Sequence, residues 1–569
     1  MKISGLLLAL TILASSAVAT ARDIVHDAEY YILEMQNGKR WAAEDKDIQR
    51  RLDALRKKFG QPPNIVYLLW DDTAFGAVGF PALQKNFGYE TPNINKMAAE
   101  GINFTRMYTE PSCTPTRAAF LTGRIPVRHG MGVVGMPHEF SGLRKEEVTI
   151  AEVLSEAGYA TAFYGKGHLG DIEESYLHNQ GFDEALFTPM NQITSLYNPQ
   201  GNAVNAVLGL IPEIYPPDPY RLDSPGLNPD GWVMNIEGKK GGEAREWCGT
   251  SNECYEKMDV EAQARTLAFI RKNAAAGKPF FVTYWPNFLN FLPTSPRKNS
   301  VSGLMVADAF PKIDAFIGDV MEELKKQGIA ENTLFVAMAD NGPMVHSPPT
   351  GWGMLPMMYR GGKGDFTEGG VRTPAFAWWP GTIKPQAVGD IIHVTDLYTT
   401  FASLGGAKKH IPTDRVVDGL DQTALLLNGD THSRRDYVFI YAGHELGATV
   451  KGRYKRHWIG AGDVAASGMP EAYFDLYMDP REENPMLVPM IHTQGQFNKM
   501  VARHMLFKKK YPDVPNAKGI PYTGLSNARP ETKAIAQRVR QTIDAMPFDV
   551  EEYLDYDLPG SDSVGDWGR

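Results

Sequence analysis

Four short apolar runs, separated by stretches of helical period, constrain this chain more than any other feature. Ile65 to Trp70 is continuous, apolar and partly β-branched, and it ends on Asp71-Asp72. Ala160 to Tyr164 leads into Lys166-Gly167-His168, Pro279 to Trp285 into a loop with Asn287 and Asn290, and Thr333 to Ala339 into Asp340-Asn341. A strand that is apolar on both faces belongs in a parallel sheet covered on both sides by helices. Ile150 to Ala157, Val260 to Lys272 and Ile313 to Lys326 have the helical spacing to supply the covers. The alternation predicts an α/β fold with a mostly parallel sheet. Ligands of such sheets bind beyond the carboxyl ends of the strands, so the polar clusters are predicted to meet at one edge.

The flanks read differently. Met1-Lys2, the apolar run Leu6 to Leu13 and the small residues up to Ala19 and Ala21 have the layout of a signal peptide over residues 1–21. Residues 22–60 form an N-terminal helical segment, in which Ile48, Leu52, Leu55 and Phe59 recur on one face of a helix from Trp41 to Phe59; Gln61-Pro62-Pro63 stops it. The main domain is expected over 61–433. Within it 187–247 reads as a specificity insertion, loop-rich from Phe187 to Gly242, with Tyr197, Tyr215, Tyr220 and Trp232 available to stack on a sugar or aryl ring or to pack as core. Alternating runs at Tyr437 to Tyr441 and Tyr454 to Ile459, then a helix from Glu531 to Ala545, predict a small antiparallel C-terminal subdomain over 434–548, before an acidic tail at 549–569.

A net charge of −9 gives no general attraction to nucleic acid. No stretch after the signal approaches the ~20 apolar residues that a membrane span needs. The expectation is a protein exported to the periplasm or secreted. Of the three cysteines, Cys248 and Cys254 lie close together in a polar loop region, where an oxidising compartment allows them to pair as a disulfide, leaving Cys113 alone.

Cys113 opens the string Cys113-Thr114-Pro115-Thr116-Arg117, followed by Leu121-Thr122-Gly123-Arg124. This string closely resembles the signature of the formylglycine-dependent sulfatases, arylsulfatase-like members of the alkaline phosphatase superfamily. Pro63-Asn64-Ile65-Val66 with Asp71-Asp72, Thr91-Pro92-Asn93, Gly165 to Gly170, Asp340-Asn341-Gly342 and Gly361 to Gly364 with Glu368-Gly369-Gly370 are similar to family blocks and keep family order. Weaker echoes are Phe474-Asp475-Leu476-Tyr477 and Asp479-Pro480. The resemblance implies an alkaline-phosphatase-like sheet flanked by helices and a smaller C-terminal antiparallel sheet.

The resemblance also implies that a formylglycine-generating enzyme oxidises Cys113 to an aldehyde, whose hydrate is the nucleophile and is held by Arg117. Asp71, Asp72, Asp340 and Asn341 are hard oxygen ligands of the kind that suits Ca²⁺ or Mg²⁺, and the family places calcium there. Arg117, Lys166 and Lys363 match its anion-binding cations, aimed where charge develops as the S–O bond breaks. Asp340 is expected to help deprotonate one hydroxyl of the hydrate and His168 the other, so that sulfate is eliminated rather than displaced by water. Many sulfatases carry a histidine after the strand matching Pro279 to Trp285. Here the segment has none; Asn290 is the nearest polar candidate, with Asn287 an alternative alignment, and an amide donates a hydrogen bond but no proton. Lys363 is then expected to carry more of the leaving-group work. Gly167 stands where the family often has a bulky aromatic. The resemblance implies a sulfated small molecule or glycan as substrate. A phosphodiester or phosphonate monoester hydrolase of the same superfamily is the alternative, and a non-catalytic exported binding protein the alternative of another class.

Overall fold

The computed structural model describes residues 23–135, 141–190, 235–249, 252–287, 305–345, 357–429, 431–460, 472–486 and 490–545. The expected signal peptide, Asn290, the four insertion aromatics and the acidic tail lie outside them. In chain order the strands are β1 (Asn64–Trp70), β2 (Ile102–Tyr108), β3 (Ser141–Gly142), β4 (Ala160–Lys166), β5 (Glu184–Thr188) and β6 (Asn235–Lys239). They continue with β7 (Arg245–Cys248), β8 (Phe280–Trp285), β9 (Thr333–Ala339), β10 (Arg372–Trp378), β11 (Gln386–Val388) and β12 (Ile392–His393). Last come β13 (Tyr437–Ala442), β14 (Glu445–Lys451), β15 (Tyr454–His457), β16 (Ala472–Asp475) and β17 (Ala517–Lys518). The first helices are α1 (Ala28–Phe59), α2 (Pro81–Phe87), α3 (Pro92–Glu100), α4 (Cys113–Thr122) and α5 (Ile150–Glu156).

Among the described residues the main sheet has eleven strands in the order β11-β2-β10-β9-β1-β8-β4-β5-β6-β7, with β12 beside β2. The centre is parallel: β1 pairs with β8 and β9, and β4 with β8 and β5. β10 runs antiparallel between β9 and β2, and β6 and β7 extend the other end as antiparallel strands.

Residue alternation explains why β1 is apolar throughout. Ile65, Tyr67 and Leu69 enter one core with residues of α4, α5 and the Val394–Gly405 helix, whereas Val66, Leu68 and Trp70 enter a second core with the Asn252–Ala276 and Met305–Lys326 helices. Full burial of each such side chain stabilises by ~1.5–3 kcal/mol relative to exposure, so neither face tolerates a polar residue. Gly165 is required where β4 meets β8: its φ is +106°, and a Cβ would lie 2.0 Å from the Trp285 carbonyl oxygen.

The sequence-based reading of Phe187 to Gly242 as loops needs correction at both ends. Phe187 lies in β5, and Asn235–Lys239 is β6, the start of a two-strand antiparallel edge. Cys248 closes β7 and Cys254 lies in the Asn252–Ala276 helix, so they do not belong to a loop; a disulfide joins them, with Cα atoms 6.2 Å apart. A second sheet, β13-β14-β15-β16, is antiparallel. The Met490–Lys510 helix follows it and packs on α1. No helix of the described residues is long and apolar enough to cross a membrane.

Candidate active site

β1 and β9 pair up to Trp70 and Ala339, so Asp71 and Asp340 emerge side by side. The Asp340 N–H donates to the Trp70 carbonyl at 2.9 Å, and the Asp72 N–H donates to Asp340 Oδ1 at 3.1 Å. Lys166 is the last residue of β4, two strands away in the sheet. Cys113 is the first residue of α4, with Ser112 extended before it at φ −152°. The whole of α4 is buried, which its Ala118, Ala119, Phe120 and Leu121 explain; Pro115 costs nothing in a first turn, whose N–H groups have no partner within the helix.

One buried charge cluster results. The Arg117 guanidinium donates through Nε and Nη2 to Asp340 Oδ2 at 3.1 and 2.8 Å, through Nη1 to the Lys166 carbonyl at 2.8 Å, and through Nη2 to Asp71. Lys166 Nζ donates to Asp71 Oδ1 at 3.0 Å. Lys363 Nζ reaches the two oxygens of Asp72 at 2.8 and 3.1 Å, and Asn341 Nδ2 donates to the same carboxylate at 2.8 Å. Burial alone would raise the Asp71 carboxyl, but Lys166 and Arg117 hold it well below the usual carboxylate range. Asp340 is pushed up to about 7, first by burial and then by the Asp71 charge, against the pull of Arg117. Burial also raises the Cys113 thiol, opposed by the charges of Lys166 and Lys363.

His168 follows β4 with φ +57°, and Asp72 follows β1 with φ +45°; both are left-handed without being glycine, at a cost of ~1–3 kcal/mol each. His168 Nε2 lies 2.8 Å from the Gly135 carbonyl, so Nε2 carries the hydrogen. Nδ1 is buried without a hydrogen-bond partner among the described residues. Burial, then the charge of Lys166, holds the ring neutral well below its ordinary value. A neutral imidazole with an open Nδ1 lone pair is equipped to accept a proton.

Asp71, Asp72, Asp340 and Asn341 offer oxygen to a hard cation, and the buried Asn341 Oδ1 has no partner among the described residues. Yet no group of three His, Cys, Asp or Glu side chains among the described residues stands ready as a metal cage. The carboxylates are engaged by Arg117, Lys166 and Lys363 instead. The donor chemistry fits a divalent cation nonetheless: three buried carboxylates and an orphaned amide oxygen are what Ca²⁺ ligation requires.

Of the sequence-predicted residues, Arg117, Lys166, Lys363, Asp71, Asp72, Asp340 and Asn341 meet in this cluster. Cys113 and His168 lie within reach of its charges. Asn287 is buried, and its N–H donates to Asp259 Oδ1 at 2.9 Å. Sequence reasoning did not single out Trp285, whose ring lies 4.9 Å from the Arg117 guanidinium carbon, or Thr114, whose Oγ1 accepts the Gly135 N–H at 2.9 Å. The terminal position of Trp285 on its strand was the available signal for the first.

The fold and this cluster define a class of α/β enzyme in which a buried helix begins at the carboxyl edge of a mostly parallel sheet, beside cations and carboxylates suited to an anionic ester. The family model described as Sulfatase matches residues 63–407. N-acetylgalactosamine-6-sulfatase of Rattus norvegicus is 34% identical over 415 residues, covering 70% of this chain and 71% of that protein. Arylsulfatase A of Homo sapiens is 34% identical over 465 residues, covering 75% and 84%. The crystal structure of PsFucS1 sulfatase from Pseudoalteromonas sp. superposes with a TM-score of 0.72 at 30% identity, covering 84% of this chain and 96% of that one. The chain belongs to the sulfatase family. It is a sulfuric ester hydrolase with the alkaline phosphatase fold.

Proposed function

We propose that the chain hydrolyses the sulfate ester of a small molecule or glycan through a formylglycine formed from Cys113 by a separate modifying enzyme. The observation that supports this reading most is the position of Cys113 as first residue of a buried helix whose Arg117 binds Asp71 and Asp340 together. Asp340 takes a proton from one hydroxyl of the aldehyde hydrate, and the oxygen attacks sulfur. The bond from sulfur to the bridging oxygen breaks, and Lys363 protonates the departing alcohol oxygen. His168 Nδ1 then takes the proton of the remaining hydroxyl; the carbon–oxygen bond to sulfate breaks, and the aldehyde returns, to be rehydrated by water. Arg117 holds the hydrate, and Lys166 orients the sulfate. Asp71, Asp72, Asp340 and Asn341 would hold a calcium ion, which when bound supplies positive charge to the sulfate oxygens.

Export to the periplasm or cell exterior, where Cys248 and Cys254 stay oxidised, belongs to the same reading. Mass spectrometry of the tryptic peptide containing Cys113, from protein made with a competent modifying enzyme, should show the aldehyde or its hydrate. Cys113→Ser should be inactive or accumulate a sulfated enzyme. Full sulfatase activity in protein carrying only the unmodified thiol would refute the mechanism.

A further inference from the structure

The Lys363 turn is held from two sides. In front, the Lys363 N–H donates to the Pro343 carbonyl and the Gly364 N–H to the Pro111 carbonyl, both at 2.8 Å, which ties the turn to the segments leading from Asn341 and into Cys113. Behind, it lies backbone to backbone on Glu368-Gly369-Gly370. The Gly369 N–H donates to the Arg360 carbonyl at 2.8 Å, and a Cβ on Gly370 would stand 2.0 Å from the Asp365 carbonyl oxygen. No compliant side chain separates the two layers, so a displacement of Glu368 is passed on to Lys363.

Glu368 is in turn fixed from the antiparallel sheet. Lys455 Nζ, on β15, lies 3.1 Å from Glu368 Oε1 and 3.0 Å from Glu482 Oε1. Glu482 Oε2 accepts the Glu368 N–H at 2.6 Å, and its Oε1 lies 2.7 Å from His457 Nε2. The Tyr108 hydroxyl donates to Glu368 Oε2 at 3.0 Å. Glu368, Lys455, His457 and Glu482 have no exposed surface, and Glu482 adopts φ +56°. Such a cluster is weak evidence of a role in stability alone, since replacing a buried ion pair by well-packed apolar residues of similar volume is often neutral or stabilising.

We propose that Lys455 and Glu482 are positioning residues of the hydrolytic reaction: they fix Glu368 and, through the glycine-lined turn, the Lys363 ammonium. The proposal rests on the reading of Lys363 as leaving-group donor given above. The test compares kcat and KM for para-nitrophenyl sulfate and phenyl sulfate at matched formylglycine content. The isosteric Glu482→Gln should lose roughly tenfold more kcat on phenyl sulfate, the poorer leaving group, than on para-nitrophenyl sulfate, with KM little changed. In a Lys363→Ala background the same substitution should cost nothing further. Tyr108→Phe, which removes a single hydroxyl from Glu368, should show a smaller bias of the same sign and serves if Glu482→Gln fails to fold. Equal losses on both esters, or losses that add fully to those of Lys363→Ala, would overturn the positioning role alone. Unbiased losses in Lys363→Ala itself would overturn the reading of Lys363, and the proposal with it.

Discussion

At the site, Arg117 and Lys363 occupy carboxylate oxygens that a bound cation would need, so on the calcium reading proposed above metal and ammonium would compete for Asp72 in particular. Exhaustive chelation should therefore abolish turnover, and added Ca²⁺ should restore it with a single ion per chain by elemental analysis; full activity in verified metal-free protein would remove these four residues from the metal assignment. Much of the cluster was legible because its members sit in short local strings, Cys113 to Arg117, Gly165 to Gly170 and Gly361 to Gly364. Lys455 and Glu482 were not legible. Lys455 stands among Arg453, Arg456 and His457, and Glu482 between Arg481 and Glu483 just past Asp479-Pro480, so nothing in the sequence sets either apart from its charged neighbours; the fold does, by burying both against Glu368.

Among the secondary-structure elements, those that bury apolar residues on two faces were easiest to read, as β1, β8 and β9 illustrate. β6 and β7 escaped because neither carries an apolar run: Asn235–Lys239 has one large apolar residue, Ile236, and β7, at the edge of the sheet, leaves Arg245 exposed. The Met490–Lys510 helix escaped too, having Gly495 inside it and no acidic residue in its first turn. α5 shows the opposite case, a helix start written in sequence. Thr149 accepts the Glu152 N–H at 3.3 Å, while Glu152 Oε2 accepts the Thr149 N–H at 2.6 Å. Thr149→Ala also loses the hydrogen bond to the Gln180 carbonyl at 2.7 Å, so it should cost ~1–2 kcal/mol in chemical denaturation while leaving kcat unchanged. A measured cost near zero would mean that packing alone sets the start of α5.

For the molecule as a whole, alternation along the chain was enough to anticipate a mostly parallel sheet with a smaller antiparallel one, because each rests on periodicity. How the early and late segments of the chain meet was not, because the Met490–Lys510 helix, whose Phe497 and Met500 pack with Leu33 and Trp41 of α1, was itself not read, and the buried polar contacts beside it carry no sequence signature. His26 Nδ1 lies 3.0 Å from the Val417 carbonyl, and burial lowers that imidazole to about 4, as it does that of His129. The unfolded chain takes up these protons near pH 6.5 and the folded one only near pH 4, so each histidine removes stability as pH falls through that window. Glu110 and Asp259, raised by burial, act in the opposite sense and flatten the total curve. The informative quantity is therefore the stability of the parent minus that of His129→Gln, which should shrink by about 1.4 kcal/mol per pH unit between pH 6.5 and 4. A constant difference in urea titrations would show that His129 is not buried neutral. The pairing of early and late segments also fixes an order of events in time. Asp27 and His504 Nδ1 meet at 2.7 Å across 477 residues, and Asn64 on β1 bonds Thr333 on β9 across 269. At ~5–20 residues per second a ribosome needs roughly half a minute to a minute and a half between making Asp27 and making His504. α1 is thus born long before the Met490–Lys510 helix it packs on, and the newborn protein must wait, unfinished, for a segment still to be made.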